Sequence, residues 1–291
     1  MTIAVCCIAA VNPFNVVEAG WMDSITGAFN RTAQSETPTI KVLLTHDQDM
    51  VILEVKGTYN LYDPRNGELI STRFKGKRRN VRALKEGLAW GEEFPGIHQI
   101  AIIPDNYETK TIVDGIEYIG GIFIYDVGGT ISIVNKVPVE NYLDSIMSPM
   151  FRNEMPQELL SALAVTARTN AYSQAQNSKT PYWDVDASQV GYKGTFTVTQ
   201  GSPVQKALQQ TQFLVLNRVG VNEWVTTPFA VQWGAYNIGK GQQDQPLYSK
   251  ISILEAENMA KKGIRADVIL TKAFPDTTIE LYRSTSETAQ K

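Results

Sequence analysis

A chain of 291 residues is long enough for one large domain or two coupled ones, with a substantial core. Its 27 Lys and Arg against 30 Asp and Glu give a net charge of -3, which argues against a dedicated nucleic-acid binder working by phosphate neutralisation. No apolar run reaches the length of a membrane-crossing helix. The two histidines, His46 and His98, stand far apart, and the two cysteines, Cys6 and Cys7, are adjacent near the start. A histidine dyad or a His/Cys metal centre therefore lacks residues in the body of the chain. The expectation is a protein without metal or cofactor, whose chemistry falls to carboxylates, hydroxyls, Lys, Arg or Tyr.

Residues 2–11 are apolar, and Val17-Glu18-Ala19 followed by Gly20 has the small-x-small form of a signal-peptidase site. This predicts a leader over 1–19 and an exported, periplasmic or wall-associated protein. With the leader removed no cysteine remains, which suits an oxidising compartment. Residues 20–38 have linker composition, and 283–291 read as a tail.

Strand-type runs begin at residues 40–45 and 50–55 and resume at 99–103, 110–113, 115–120, 122–127 and 130–134. Asp114-Gly115 and Gly128-Gly129 are hairpin turns. Alternation in residues 122–125 and 131–134 predicts an antiparallel sheet with one buried face. Between these runs Lys75, Lys77, Arg78, Arg79 and Arg82 form a basic cluster followed by Glu86, Glu92 and Glu93, which reads as a solvated loop. A β-rich half is thus expected over about 39–135.

From Val139 the pattern turns helical. Residues 139–147 and 156–176 predict helices, the second with Pro156 at its first turn and a buried stripe of Leu160, Leu163, Ala164, Ala167 and Ala171. Arg168 lies at the edge of that stripe, and a half-buried guanidinium demands a carboxylate or carbonyl partner. It serves either to hold the helix on the sheet or to serve a site. Shorter helices follow at 202–211, 254–262 and 266–272, a strand at 213–216 and aromatic-rich strands between Trp224 and Trp233. The fold class is α+β, mainly antiparallel β with a central buried helix and a few peripheral ones, the helix-bearing half covering about 136–282.

Three segments resemble the stage II sporulation protein D family (SpoIID/LytB, the amidase-enhancer domain), whose members cleave or bind glycan strands in the bacterial cell wall. Residues 134–143, VNKVPVENYL, are similar to the family's VNxVPLEDYL. Residues 158–169, ELLSALAVTART, resemble EALKAQAVAART. Residues 255–277 resemble its GAxAMAKxGxxYxEIL–YYPGT segment, and weaker similarity extends over 39–282. The resemblance implies a groove for peptidoglycan strands and lytic transglycosylase activity at the MurNAc–GlcNAc bond. It also implies a place at the septum or in cell division, with a wall amidase or the division machinery as partner. The alternative is a module that binds the strand without cutting it.

The family's catalytic glutamate sits in an E-M-P tripeptide, matched here by Glu154-Met155-Pro156. Ungapped joining of the first two segments instead puts Met150 in that column, four residues earlier. One carboxyl suffices for a transglycosylase, because the muramoyl 6-hydroxyl acts as nucleophile and a hydrolase's second carboxylate is not needed. Such an acid must start protonated, a form an apolar surround of Met150, Phe151 and Met155 favours. The resemblance implies Glu154 as acid and base, Arg168 and Tyr142 as its positioning residues, and Gln189, Ser188, Tyr192 and Trp233 along the sugar groove. Some relatives carry Cys and His ligands where residues 184–192 stand here. This chain has neither type there, so no zinc is expected.

Overall fold

The computed structural model describes residues 38–282 apart from 75, 152–153, 196–197, 199, 220–228 and 235–245. The expected leader, nearly all of the linker, the tail and the first half of the aromatic-rich stretch from Trp224 to Trp233 lie outside the described residues.

Strands dominate the first part: β1 (Thr39–Gln48), β2 (Met50–Lys56), β3 (Tyr59–Asp63), β4 (Glu68–Arg73), β5 (Gly76–Leu84), β6 (Gly87–Trp90), β7 (Glu93–Pro95), β8 (Gln99–Pro104), β9 (Lys110–Val113), β10 (Ile116–Tyr118), β11 (Gly121–Val127) and β12 (Thr130–Pro138). Helices α1 (Val139–Met150) and α2 (Gln157–Gln176) follow, then β13 (Val185–Asp186), α3 (Ala187–Val190), α4 (Pro203–Gln210) and β14 (Leu214–Arg218). The chain closes through β15 (Val231–Gln232), β16 (Leu247–Tyr248), α5 (Ile253–Lys261), α6 (Ala266–Ala273) and β17 (Thr277–Leu281). The α+β class holds.

A seven-stranded sheet runs β13-β1-β12-β11-β8-β3-β4, and a six-stranded one runs β10-β9-β2-β5-β6-β7. Hairpins join β3 to β4 and β11 to β12 in the larger sheet, and β5 to β6, β6 to β7 and β9 to β10 in the smaller; the other neighbours are distant in sequence. At the β9–β10 turn Asp114 and Gly115 both have positive φ (48° and 89°), the geometry that Asp-Gly adopts at least cost. Parallel pairing enters where β13 joins the far side of β1, Val42 opposite Val185.

Ile40, Val42, Ile100, Ile102, Ile122, Ile124, Ile131 and Ile133 are all fully buried in one core with Val51, Leu53, Val81 and Leu88 of the second sheet. The opposite pleat face is buried as well, which corrects the expectation of a single buried face. Leu43, Ala101, Ile103, Phe123, Tyr125 and Val134 form a second apolar layer, with Tyr62 and Trp183 packed against it. Residues 122–125 read as alternating aliphatic and aromatic side chains because both faces want apolar groups of different shape.

Two further expectations change. The basic cluster is not a loop: β5 pairs with β2 on one side and β6 on the other, Val51 opposite Val81 and Val81 opposite Trp90. And α2 is buried on more than a stripe. Beside Leu160, Leu163, Ala164 and Ala171 it buries Ser161, Thr166, Arg168, Thr169 and Ser173, as a helix enclosed on all sides does, while Ala167 stays half-buried.

Close backbone approach fixes several glycines, Gly120 among them. Gly120 has φ 83°, and a Cβ there would stand 2.3 Å from the Lys136 carbonyl oxygen. Gly115 has similar φ with nothing within 4 Å. Gly120→Ala should therefore cost about 2–4 kcal/mol more than Gly115→Ala in urea unfolding; equal costs would show that strain alone, not the contact with β12, sets the penalty.

Candidate functional site

Pro138 ends β12 and opens α1, which puts Glu140 in the first helical turn beside the middle of α2. There Arg168, fully buried, meets it in a two-pronged ion pair: Nε donates to Glu140 Oε1 at 2.6 Å and Nη2 to Oε2 at 2.7 Å. Nη1 donates to the Leu214 carbonyl at 3.1 Å and to Thr211 Oγ1 at 3.4 Å, and Nη2 also reaches the Leu208 carbonyl at 3.3 Å. All five N–H groups of the guanidinium are engaged. The demand read from the sequence is met by Glu140 and two carbonyls rather than by Glu154. No donor of Arg168 remains for a substrate, so any influence on Glu154 passes through the packing of α1, α2, α4 and β14.

The turn between α1 and α2 carries both candidates for the catalytic column. Glu154 is exposed and pairs with no described residue; Met150 is 65% exposed. Phe151 and Met155 lie half-buried against the core and form the apolar part of this turn. Nearly two turns back from Met150 on α1 stands a carboxylate that sequence reading missed. Asp144, half-buried, accepts from Ser148 Oγ at 3.0 Å and from Gln205 Nε2 of α4 at 3.2 Å. Burial raises its pKa above the ordinary 3.8, against the two hydrogen bonds that lower it. Its i,i+4 spacing to Ser148 was the available signal.

Tyr142 and Tyr192, expected at the site and along the groove, come together with ring centroids 5.7 Å apart, but in the core. They are 2% and 4% exposed. Tyr192 Oη donates to Asn135 Oδ1 at 2.6 Å, and Asn135 Nδ2 donates to the carbonyls of Ile119 and Gly121. Desolvation pushes both phenols up, and Tyr118, which packs on Tyr192, to about 12. These rings are thus neutral core groups, not surface platforms. Ser188 and Gln189 are exposed on α3, where Asp186 caps the helix and also accepts from Ser188 Oγ at 2.6 Å. Trp233 is half-buried on another side of α2; its Nε1 donates to Thr166 Oγ1 at 2.9 Å and its ring meets Phe274 edge-on at 5.3 Å. The described residues show no groove joining these positions.

The polar residues of α2 act instead as fasteners. Asn170 gives Nδ2 to the Val231 carbonyl and accepts from the Val231 N–H, as a neighbouring strand does. Thr169 Oγ1 accepts from the Leu216 N–H at 2.9 Å. Glu158 accepts from the Ala266 N–H at 2.7 Å, supplying an acceptor at the start of α6, whose N-cap Arg265 makes no side-chain cap hydrogen bond.

Comparison with known proteins now fits this arrangement. Residues 127–217, from the end of β11 through β14, match the family described as Stage II sporulation protein, SpoIID. The chain is 33% identical over 183 residues to an uncharacterized protein of Chlamydia pneumoniae, covering 62% of this chain and 66% of that one. It is 31% identical over 196 residues to one of Chlamydia muridarum, covering 66% and 67%. A Brachyspira hyodysenteriae protein, also uncharacterized, is 28% identical over 149 residues, 50% of this chain and 39% of the relative. The chain thus spans about two thirds of the length of the two chlamydial relatives and less of the third. No solved structure matches. The chain belongs to the SpoIID family, which ties it to the cell wall. No helix among the described residues is long and apolar enough to cross a membrane.

Two stability outcomes separate fastening from function. Glu140→Gln leaves the buried Arg168 charge uncompensated and should cost about 3–5 kcal/mol in denaturant unfolding, whereas Glu154→Gln, at an exposed turn, should stay within about 0.5 kcal/mol. A cheap Glu140→Gln would dismiss the ion pair as the clamp. For Asp144 the folded form holds its proton more tightly than the unfolded chain, so its contribution is full below pH 3.8 and is lost as pH rises through the raised value. Asp144→Asn should therefore be neutral to stabilising at pH 7 and should flatten that stretch of the stability–pH curve; a destabilised Asn variant at pH 7 would contradict it.

Proposed function

We propose that the chain is a peptidoglycan-remodelling protein that cleaves glycan strands between MurNAc and GlcNAc as a lytic transglycosylase, with Glu154 as the acid and base. One observation carries the reading: within the SpoIID match, the intact Glu154-Met155-Pro156 tripeptide occupies the surface turn between two helices that the Arg168–Glu140 pair clamps together. A carboxyl on a turn with fixed ends is held at a defined place and stays open to a polymer too large to enter a pocket. Glu154 donates its proton to the glycosidic oxygen as the bond to the muramoyl anomeric carbon breaks. It then takes the proton from the muramoyl 6-hydroxyl as that oxygen closes on the same carbon, so no water is consumed and the carboxyl is restored. The half-buried Phe151 and Met155 provide the apolar side of the turn. Arg168 and Tyr142 serve as positioning residues from beneath, while Ser188, Gln189 and Trp233 belong to the strand path.

A second reading is favoured by the exposure of Glu154 and the saturation of Arg168: the same surface holds the strand and acts by recruiting a wall amidase or division protein. An exported, septal location accords with either.

Digestion of purified glycan strands, denuded and peptide-bearing, by the wild type and Glu154→Gln, read by mass spectrometry, decides between them. Products lighter by one water than the hydrolytic ones, reduced by about a hundredfold or more in Glu154→Gln, are expected. Strand binding without cleavage by the wild type would overturn the enzymatic reading in favour of the binding one, and hydrolytic products would overturn the one-carboxyl mechanism.

A further inference from the structure

The N-terminal half contains a cleft of about 220 Å³ outside the stretch that matches the family. Tyr59 of β3 and Trp90 of β6 are almost fully buried beneath it, their rings 6.0 Å apart, and Phe94 of β7 adds a buried ring. Trp90 is held by donation of Nε1 to the Leu53 carbonyl at 3.3 Å. Arg73 and Glu92, paired with each other, form one wall, and Arg79 forms another.

Three features make this a built site rather than a surface dent. Tyr59 is 3% exposed and lines the cleft, with its hydroxyl beside Gly76 as the polar end of an otherwise apolar ring. Space beside that hydroxyl is kept open by Gly76, where a Cβ would stand 2.8 Å from Tyr59 Oη. Arg79 shares the pleat face of Val81, so it points along the inner side of β5, its stem beside Gly91, while Arg78 and Arg82 take the other face. The guanidinium of Arg79 donates to the Arg78 carbonyl at 3.2 Å and has no carboxylate partner among the described residues. Arg73, Glu92 and Arg79 together leave the cleft one positive charge in excess. Its volume suits a group of amino-acid size, and the aromatic floor suits an aliphatic arm.

We propose that this cleft binds a carboxylate carried on a short aliphatic arm, the chemistry of a peptide end, with Arg79 holding the anion and the Tyr59 hydroxyl as a second donor. The identification of that peptide as the stem of peptidoglycan rests on the wall reading above. It makes the N-terminal half a second grip on the polymer, directed at the peptides rather than the sugars.

The test titrates the purified full chain with N-acetyl-D-alanyl-D-alanine, its C-terminal amide and inorganic phosphate, following binding by calorimetry. The free acid should bind and the amide should not. Arg79→Gln should weaken the acid about tenfold or more, and Tyr59→Phe, which removes one oxygen and keeps the ring, about three- to tenfold. Unfolding midpoints of both variants, expected to stay near that of the wild type, exclude a folding artefact. Equal binding of acid and amide, no binding of the acid, undiminished binding by Arg79→Gln, or binding of phosphate in preference to the acid would each overturn the proposal. Cleavage of denuded strands is read separately: its absence sinks the transglycosylase reading and leaves dipeptide binding standing, while loss of dipeptide binding with cleavage intact does the reverse.

Discussion

A charge that cannot be neutralised sets the terms for the C-terminal half. Arginine carries a permanent charge, and burying Arg168 without a partner is prohibitive. The structure answers with Glu140 on one side and the carbonyls at the end of α4 and the start of β14 on the other. Four elements far apart in sequence are thereby fixed around one side chain, and the geometry of the fork leaves little freedom in the α1–α2 crossing angle. The turn that joins those helices, and with it Glu154, inherits its position from this pair.

The same logic recurs around α2 with neutral groups. A helix enclosed on nearly every side cannot send its inner polar side chains to water, and three of them are spent on neighbours: Thr166 on Trp233, Thr169 on Leu216, Asn170 on Val231. The small alanines let those neighbours approach closely. What looks from the sequence like a modest helix with an alanine stripe is the hub to which β14, β15 and α6 are attached.

How much of this could be read in advance follows from where each signal resides. The strands from Gln99 to Pro138 and the long helix were legible because their apolar residues repeat with a definite period. Strand β5 was not, because Val81 alone of its middle residues is buried, and a single residue has no period. The need of Arg168 for a partner was legible locally, but the partner was not, since Glu140 lies 28 residues away and is brought in by the crossing of two helices. Tyr142 and Tyr192 misled for a related reason. An aromatic ring serves equally as sugar platform or as core, and the Asn135 amide that turns Tyr192 inward is 57 residues distant. The cleft over Tyr59 and Trp90 left no sequence trace, because it forms only where β3, β5, β6 and β7 meet in the assembled sheets.

The strand order of the larger sheet has a bearing on how the chain is made. Of the described strands β1 leaves the ribosome first, yet both of its edges are completed late: β12 brings Pro138 opposite Thr39, and β13 brings Val185 opposite Val42. Until about a hundred and then about fifty further residues have been synthesised, Ile40 and Val42 belong to a strand with open edges, the kind of segment that invites pairing with other chains. Such long-range closure makes assembly of this sheet slow relative to its hairpins. A nascent chain of this design spends its early life dependent on whatever shields an unfinished first strand.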